Sequence, residues 1–348
     1  MPNDVLSAAL AQLTAGLDLS QEDARAVLLE IMSGRTGEAQ TGAFLSALRV
    51  KGETAEEIVG MAYAMSELAE RVEVDADVIL DTCGTGGDRA GTFNISTAAA
   101  LVAAGAGVTV AKHGNRSATS KCGSADVLEA LGVVIDLAPE HVSRCIVTCG
   151  IGFMFAPRHH LAMKYVAPVR RELGMSTTFN LIGPLTNPAG ARHQLIGVAD
   201  ARYVDRIAQA VRMMGNARNL IVHSDDGLDE ISTTCPTSVV EVFAGQGFDE
   251  RYEVTPEQFG MAQARLDDLA GGDAAENAAL LRAVVDGEPG PKLDIVLLNA
   301  GAALYIAEAA YSIAEGVKKA RAAVASGAAR EKLDLLIGTT RRLSQETA

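Results

Sequence analysis

The sequence predicts two packed units, a small all-helical N-terminal domain and a larger α/β domain. Three observations carry that expectation. Through about residue 70, apolar side chains recur at helical spacing behind N-cap signals. From Asp77 onward, short apolar runs alternate with helical stretches, the pattern of a sheet whose strands are at least partly parallel. Glycine is abundant, 34 of 348 residues, as many tight turns and close backbone approaches require.

Ser20 with Asp23 opens a helix that Gly34 can close. Thr54 and Glu57 have capping-box spacing ahead of Ile58, Met61, Ala62 and Met65. Residues 78–80 read as a buried strand ending at a Gly-rich turn, 95–104 as a helix and 108–110 as a second strand. A helix over 124–131 with Ser124 as N-cap, a third strand at 133–135 and a helix over 140–148 follow. Beyond them come a helix at 200–214, a strand at 220–222, β structure within 237–254, and a helical C-terminal third that includes 293–309. No repeat and no Pro/Ser-rich linker separates the parts, so the two units are expected to enclose a cleft. The expected boundary divides residues 1–72, joined by helical or hinge segments from about 160–190, from an α/β domain at 73–348.

Hydrophobic residues make up 48% and charged residues 21%, values of an ordinary globular protein. Aromatics are 4% and Trp is absent, so the core must rest on Ala, Leu, Val and Ile. A net charge of -14 argues against a nucleic-acid binder, which carries a basic footprint, but leaves an anionic substrate open. The five cysteines form no CxxC and no zinc spacing, which points to reduced structural thiols and a cytoplasmic setting. Met-Pro-Asn-Asp has no signal-peptide pattern, and the apolar stretch 95–110 is too polar and too short for a membrane span.

Three segments point to phosphate chemistry. Asp81-Thr82-Cys83-Gly84-Thr85-Gly86-Gly87-Asp88 follows a strand and precedes a helix, where backbone N–H groups can approach an anion. It lacks the Gly-Lys-Ser/Thr of a Walker loop, and Arg89 stands where a dinucleotide loop needs its third glycine. Alone, it is equally an ordinary turn. Thr92-Phe93-Asn94-Ile95-Ser96-Thr97 clusters polar residues at a helix start, serving either capping or a ligand. Lys112 to Lys121 interleaves three cations with Gly, Asn and hydroxyls directly after a strand, at the sheet edge where α/β ligands gather. A solvated charge run is the alternative there. Further on, Asp225-Asp226-Gly227-Leu228-Asp229-Glu230 is either an acidic surface turn or a Mg²⁺ site.

The ordered set of motifs resembles the anthranilate phosphoribosyltransferase family over nearly the whole chain. It comprises Gly84-Thr85-Gly86-Gly87-Asp88, Asn94-Ile95-Ser96-Thr97, Lys112-His113-Gly114-Asn115-Arg116 and Gly123-Ser124-Ala125-Asp126-Val127-Leu128-Glu129. It continues through Phe155-Ala156-Pro157, His159-His160, Ala167-Pro168-Val169-Arg170 and Phe179-Asn180-Leu181-Ile182-Gly183-Pro184-Leu185-Thr186-Asn187-Pro188. Asp226-Gly227-Leu228-Asp229-Glu230 and Gly271-Gly272-Asp273-Ala274-Ala275-Glu276-Asn277-Ala278 complete it.

The resemblance implies the fold of class II nucleoside phosphorylases: a helical domain and an α/β domain with a mixed, helix-flanked sheet, the active site lying between them. It implies phosphoribosyl transfer from 5-phosphoribosyl 1-diphosphate to anthranilate in tryptophan biosynthesis, a homodimer through the helical domain, and two Mg²⁺ ions. Phosphoribosyl diphosphate would be held by Gly84, Gly87, Asp88, Thr92, Asn94, Ile95, Ser96, Thr97, Lys112, His113, Gly114, Asn115, Arg116, Ser117, Ala118, Thr119, Ser120 and Ser124. Anthranilate would meet Gly84, Asn115 and Arg170, and the metal would meet Ser96, Asp229 and Glu230. No acid or base is assigned, because an aromatic amine is already neutral at pH 7. Cys122, Leu161, Ser176 and Ser224 depart from the family's usual Ser, Pro, Arg and Gly, and 117–120 departs from its usual loop. A related nucleoside phosphorylase is the alternative enzyme; Lys112-His113-Gly114-Asn115 and Gly183 to Pro188 favour the transferase. A non-catalytic nucleic-acid binder is disfavoured by the charge and by the intact Asp229-Glu230 pair.

Overall fold

The computed structural model describes residues 2–88, 90–117, 121–246 and 249–346. The N-terminal segment folds as α1 (Asp4–Thr14), α2 (Gln21–Met32), α3 (Glu38–Lys51) and α4 (Ala55–Glu67). Their starts follow from local chemistry: Asn3, Ser20 and Thr54 side chains accept N–H bonds from Leu6, Asp23 and Glu57, and Thr54 with Glu57 closes a full capping box. Glu57 is fully buried, and its carboxylate also accepts from Leu19 N–H at 2.9 Å and pairs with Lys51 at 2.9 Å. It thereby ties the starts of α2 and α4 to the end of α3.

The rest of the chain builds one seven-stranded mixed sheet of order β3-β2-β1-β4-β5-β6-β7. Its strands are β1 (Leu80–Gly84), β2 (Val110–Gly114), β3 (Ile151–Phe155), β4 (His193–Gly197), β5 (Arg218–Ser224), β6 (Thr237–Phe243) and β7 (Glu250–Val254). The pairs from β3 to β5 are parallel, whereas β5–β6 and β6–β7 are antiparallel. Between strands run α5 (Ile95–Gly105), α6 (Ser124–Ala130), α7 (Pro139–Cys149), α8 (Ala156–His159), α9 (Ala167–Leu173), α10 (Thr178–Ile182) and α11 (Val204–Met213). The C-terminal helices are α12 (Ala274–Val285), α13 (Pro291–Ile306), α14 (Ile313–Ala325) and α15 (Ala328–Glu346). No helix among the described residues is long and apolar enough to cross a membrane, and all five cysteines are free thiols.

Alternating side chains divide the sheet between two cores. Leu220 and Val222 of β5 pack with α5, α13 and α15. Ile221 between them, with Ile196 and Val240, packs with α11, with Val169 and Phe179 of α9 and α10, and with Leu28, Phe44 and Ile58 of the N-terminal helices. The helical unit and one sheet face thus share a single apolar core.

Several expectations need correction. The strands expected at 78–80 and 108–110 lie further along, at Leu80–Gly84 and Val110–Gly114, so Lys112, His113 and Gly114 are strand residues rather than loop residues. Residues 133–135 are not a strand. Val133, Ile135 and Leu137 do alternate into the core, but Val134 N–H is taken by Thr340 Oγ1 at 3.1 Å, and the place beside β2 belongs to β3. Neither β3 nor β4 was anticipated. Ser124 is the first residue of α6 rather than its N-cap: Gly123 is the cap, and its N–H donates to Asp126 at 2.8 Å.

Candidate active site

The strand order reverses between β1 and β4, which opens a crevice at their carboxyl ends. Gly84 and Gly197 pair there and bring the backbone against Asp229. A Cβ on Gly84 would lie 2.4 Å from Asp229 Oδ2, so only glycine leaves room for that carboxylate. Beyond Gly84 the chain turns through left-handed Gly86 and Gly87, at φ +64° and +86°. Thr85 N–H donates to Gly197 O (2.9 Å), and Gly86 N–H donates to Asp229 Oδ2 (2.7 Å). The Gly-rich segment is therefore folded onto an acidic side chain from 143 residues away.

The start of α5 forms the next wall. Asn94 does not cap the helix with its side chain. Its Oδ1 accepts from Asn277 Nδ2 at 3.0 Å, and its Nδ2 donates to Cys122 O at 3.2 Å. Ser96 N–H donates to Glu230 Oε1 at 3.2 Å. Thr97 Oγ1 is buried without a partner among the described residues. Thr92 pairs with Ala270, and Ile95 turns its side chain into the core.

Lys112 rises from β2, 3% exposed, and donates to Thr82 O at 2.6 Å and Ser96 Oγ at 3.4 Å. Burial lowers its pKa, while Asp81, Glu230 and Asp229 hold the charge. His113 is pushed well below the usual imidazole range by burial and by its neighbours His160 and His159. Its ring centroid lies 5.1 Å from that of His160, itself lowered to about 4 by burial and His159. Both rings are neutral at pH 7.

Past Gly114, Asn115 Oδ1 accepts from Arg116 N–H (2.7 Å), and Asn115 O accepts from Ser124 Oγ (3.3 Å). The Arg116 guanidinium pairs with Asp126 and Glu129, both at 2.8 Å, so its charge is balanced within the protein. Ser117 N–H donates to Asp126. Ala118, Thr119 and Ser120 lie outside the described residues. Opposite, Arg170 of α9 makes no ion pair among the described residues. It donates to Asn180 Oδ1 at 3.2 Å and lies over Phe179.

These residues face one cleft of about 820 Å³, lined by every described residue expected at the site, from Gly84 to Glu230. The cleft also takes Met65 from α4, His160, Lys164, Phe179, Asn180 and Pro184, which were not singled out. His160, Phe179, Asn180 and Pro184 sit inside the quoted motifs; spacing alone had no means of choosing them.

The acidic turn divides its labour. Burial opposes ionisation of Asp226, but hydrogen bonds from Thr234, Leu228 N–H and Ser232 outweigh it and hold its carboxyl low. Asp226 is thus the brace of its own loop. Asp229 is pushed up to about 6 by burial and by Asp88, and Glu230 well above its usual range by burial and by Asp229. Two crowded carboxylates near Ser96, with Lys112 as the neighbouring cation, form a hard-oxygen set with excess negative charge, which fits Mg²⁺. Among the described residues no cluster of three His, Cys, Asp or Glu could hold a metal unaided. Mg²⁺ commonly uses one or two carboxylates and completes its shell with water and phosphate.

Fold and cleft together define a glycosyl transferase of the helical-bundle plus a/b type. Residues 7–69 match the helical bundle domain of that glycosyl transferase family, and residues 76–330 match its a/b domain. Over 98% of its length the chain is 54% identical to the anthranilate phosphoribosyltransferase of Rubrobacter xylanophilus, covering 99% of that protein. The crystal structure of the Thermus thermophilus enzyme superposes with a TM-score of 0.90 at 45% identity, over 96% of this chain and 99% of that one. The Saccharomyces cerevisiae enzyme in complex with PRPP and Mg superposes at 0.88 with 29% identity, over 97% and 98%. The chain belongs to the anthranilate phosphoribosyltransferase family.

Proposed function

We propose that this chain transfers the 5-phosphoribosyl group of 5-phosphoribosyl 1-diphosphate to the amino group of anthranilate, releasing diphosphate, as a step of tryptophan biosynthesis. The observation that carries the reading is one cleft with two chemically opposite walls. A Gly-rich turn, the buried Lys112 and the paired carboxylates share that cleft with Arg170, which has an amide as acceptor and no ion-pair partner among the described residues.

Gly84, Gly87 and Asp88 would receive the phosphoribosyl diphosphate, with Thr92, Asn94, Ile95, Ser96, Thr97, Lys112, the chain from His113 to Ser120, and Ser124. The unpartnered Thr97 hydroxyl and the Lys112 ammonium suit that anion. Arg116 would have to leave Asp126 and Glu129 to take part. Arg170 would bind the anthranilate carboxylate, with Asn115 and the Gly84 backbone nearby. Ser96, Asp229 and Glu230 would hold two Mg²⁺ ions. Bound there, Mg²⁺ supplies charge neutralisation for the departing diphosphate.

In the reaction the amine nitrogen forms a bond to ribose C1 as the C1–diphosphate oxygen bond breaks. Positive character develops at the ribose, and the nitrogen then loses a proton to water or to the released diphosphate. The protein's part is positioning and charge stabilisation, with no nucleophile. The neutral aromatic amine needs no strong base, and the cleft histidines, with pKa lowered by burial, are weak ones.

The same reading takes residues 1–72 with 160–190 as the helical domain, residues 73–348 as the α/β domain, and the cytoplasm as its location. Dimerisation through the helical domain would cover Leu17 and Val50, which are exposed there; sedimentation tests it. The test of function mixes protein, Mg²⁺, phosphoribosyl diphosphate and anthranilate, and follows the fall in anthranilate fluorescence. The chain has no Trp, so tryptophan emission does not interfere. Folded protein that leaves the signal unchanged refutes the proposal, and turnover of a nucleoside with phosphate instead would identify a phosphorylase.

A further inference from the structure

Arg170 and Asn180 make an unusual pair for a half-buried cation. Burial lowers the pKa of the Arg170 guanidinium, and Nε is buried without a hydrogen-bond partner among the described residues. Its nearest ring is Phe179, 5.3 Å from Cζ. Its hydrogen-bond acceptor is Asn180 Oδ1 at 3.2 Å, a neutral amide rather than a carboxylate. The same Oδ1 accepts Thr177 N–H at 3.2 Å, which fixes Asn180 in the capping box of α10. Its Nδ2 reaches Thr85 O at 3.5 Å, in the middle of the Gly-rich turn.

Asn180 therefore connects α9, α10 and the phosphate-type wall without contributing charge. Aspartate has nearly the same shape and would keep the acceptor for both Thr177 N–H and Arg170. It would give up the long Nδ2 contact to Thr85 O and supply the anion that Arg170 now lacks, and such charge-assisted pairs are about twice as strong as neutral ones.

We propose that Asn180 is a specificity-determining positioning residue, aiming the Arg170 guanidinium into the cleft while leaving its charge available to a substrate carboxylate. The inference rests on the reading of Arg170 as the anthranilate contact. An amide at this position favours aromatic amines that carry a carboxylate, because the substrate supplies the missing anion. A carboxylate at this position would occupy Arg170 from within.

The test compares wild type, Asn180→Asp, Asn180→Ala, Arg170→Gln and the Arg170→Gln/Asn180→Asp double variant. KM for each substrate and Kd for anthranilate are measured, with thermal melts and phosphoribosyl diphosphate affinity reporting on folding. Asn180→Asp is expected to weaken anthranilate binding about ten- to a hundredfold, the scale of one hydrogen bond to a charged group. The KM for phosphoribosyl diphosphate should change far less. Asn180→Ala, which loses the aim but leaves the charge, should weaken anthranilate by about three- to tenfold. In the double variant the aspartate should add nothing to the Arg170→Gln defect. A merely structural asparagine predicts that both variants lose affinity for both substrates in step with a lower melting temperature, and that pattern overturns the proposal. Unchanged anthranilate KM in Asn180→Ala also overturns it, as does a full multiplicative defect in the double variant. If Arg170→Gln leaves anthranilate binding intact, the assignment of Arg170 itself falls, and the inference falls with it.

Discussion

Gly197→Ala isolates the close backbone approach that seats Asp229 beside the cleft. Gly197 ends β4, paired between Gly84 of β1 and Val222 of β5. Its φ is not in the left-handed region, so the backbone accepts alanine and only the added methyl is at issue. That Cβ would lie 1.6 Å from the carbonyl oxygen of Asp229 and 2.3 Å from its carbonyl carbon. Atoms of these types approach no closer than about 3 Å without strain, so the segment carrying Asp229 must retreat by more than an ångström. Its carboxylate then leaves Gly86 N–H, now 2.7 Å away, and Glu230 moves with it. Overpacking of this kind costs about 1–3 kcal/mol, a fall of a few degrees in melting temperature. A displacement of about 1 Å in a catalytic group costs on the order of a hundredfold in rate. The assay is kcat/KM by anthranilate fluorescence beside a thermal melt. Gly338→Ala in α15 is the control: its Cβ meets nothing within 4 Å, and a gain of about 0.5–1 kcal/mol is expected with activity unchanged. A Gly197→Ala protein with parental kcat/KM and melting temperature would refute the claim that this contact positions Asp229.

The Asp229→Asn/Glu230→Gln variant should keep its fold and lose about a hundredfold or more of Mg²⁺-dependent turnover; wild-type turnover removes both residues from the metal site. Asp229, raised from 3.8 to about 6 by burial and Asp88, also sets a pH dependence. The Mg²⁺-binding form is the carboxylate, so turnover at limiting Mg²⁺ should fall as pH drops through about 6, and a flat profile there counts against the assignment. The stability sign is opposite in the metal-free protein. A carboxyl raised on folding contributes fully below 3.8, and that contribution is lost as pH rises through about 6. Melts of Asp229→Asn against wild type between pH 5 and 8 should show the difference growing in favour of the variant. Asn277→Ala would strand Gly272 N–H, now 2.7 Å from Oδ1, and release Asn94. A loss of about 1–3 kcal/mol by melt is expected, with a higher KM for phosphoribosyl diphosphate and little change for anthranilate.

Features that depend on near neighbours were legible in the sequence. The Ser20 and Thr54 caps and the helices that follow them formed where local pattern placed them, and the Gly-rich turn does follow a strand, although that strand runs on to Gly84. The ordered motifs carried the family and the mixed α/β fold, and every described residue expected at the site lines one cleft. Pairing in the sheet was less legible, since an extended apolar run becomes a strand only if a neighbour is free. Residues 133–135 had the right pattern but no ladder, while β3 and β4 took the partners on either side.

Charge assignment needed the folded chain most. No local rule distinguishes Asp226, which braces its own turn, from Asp229, which reaches Gly86. Nor does one distinguish Arg116, neutralised by Asp126 and Glu129, from Arg170, which rests on an amide. Asn94 is oriented by an asparagine 183 positions later in the chain. The sequence by itself determined the helices, the turn chemistry and the cast of residues, because those depend on bonds between near neighbours. Only the tertiary structure decided which charges are already satisfied and which remain for a ligand, because that balance is set between residues that folding brings together from far along the chain.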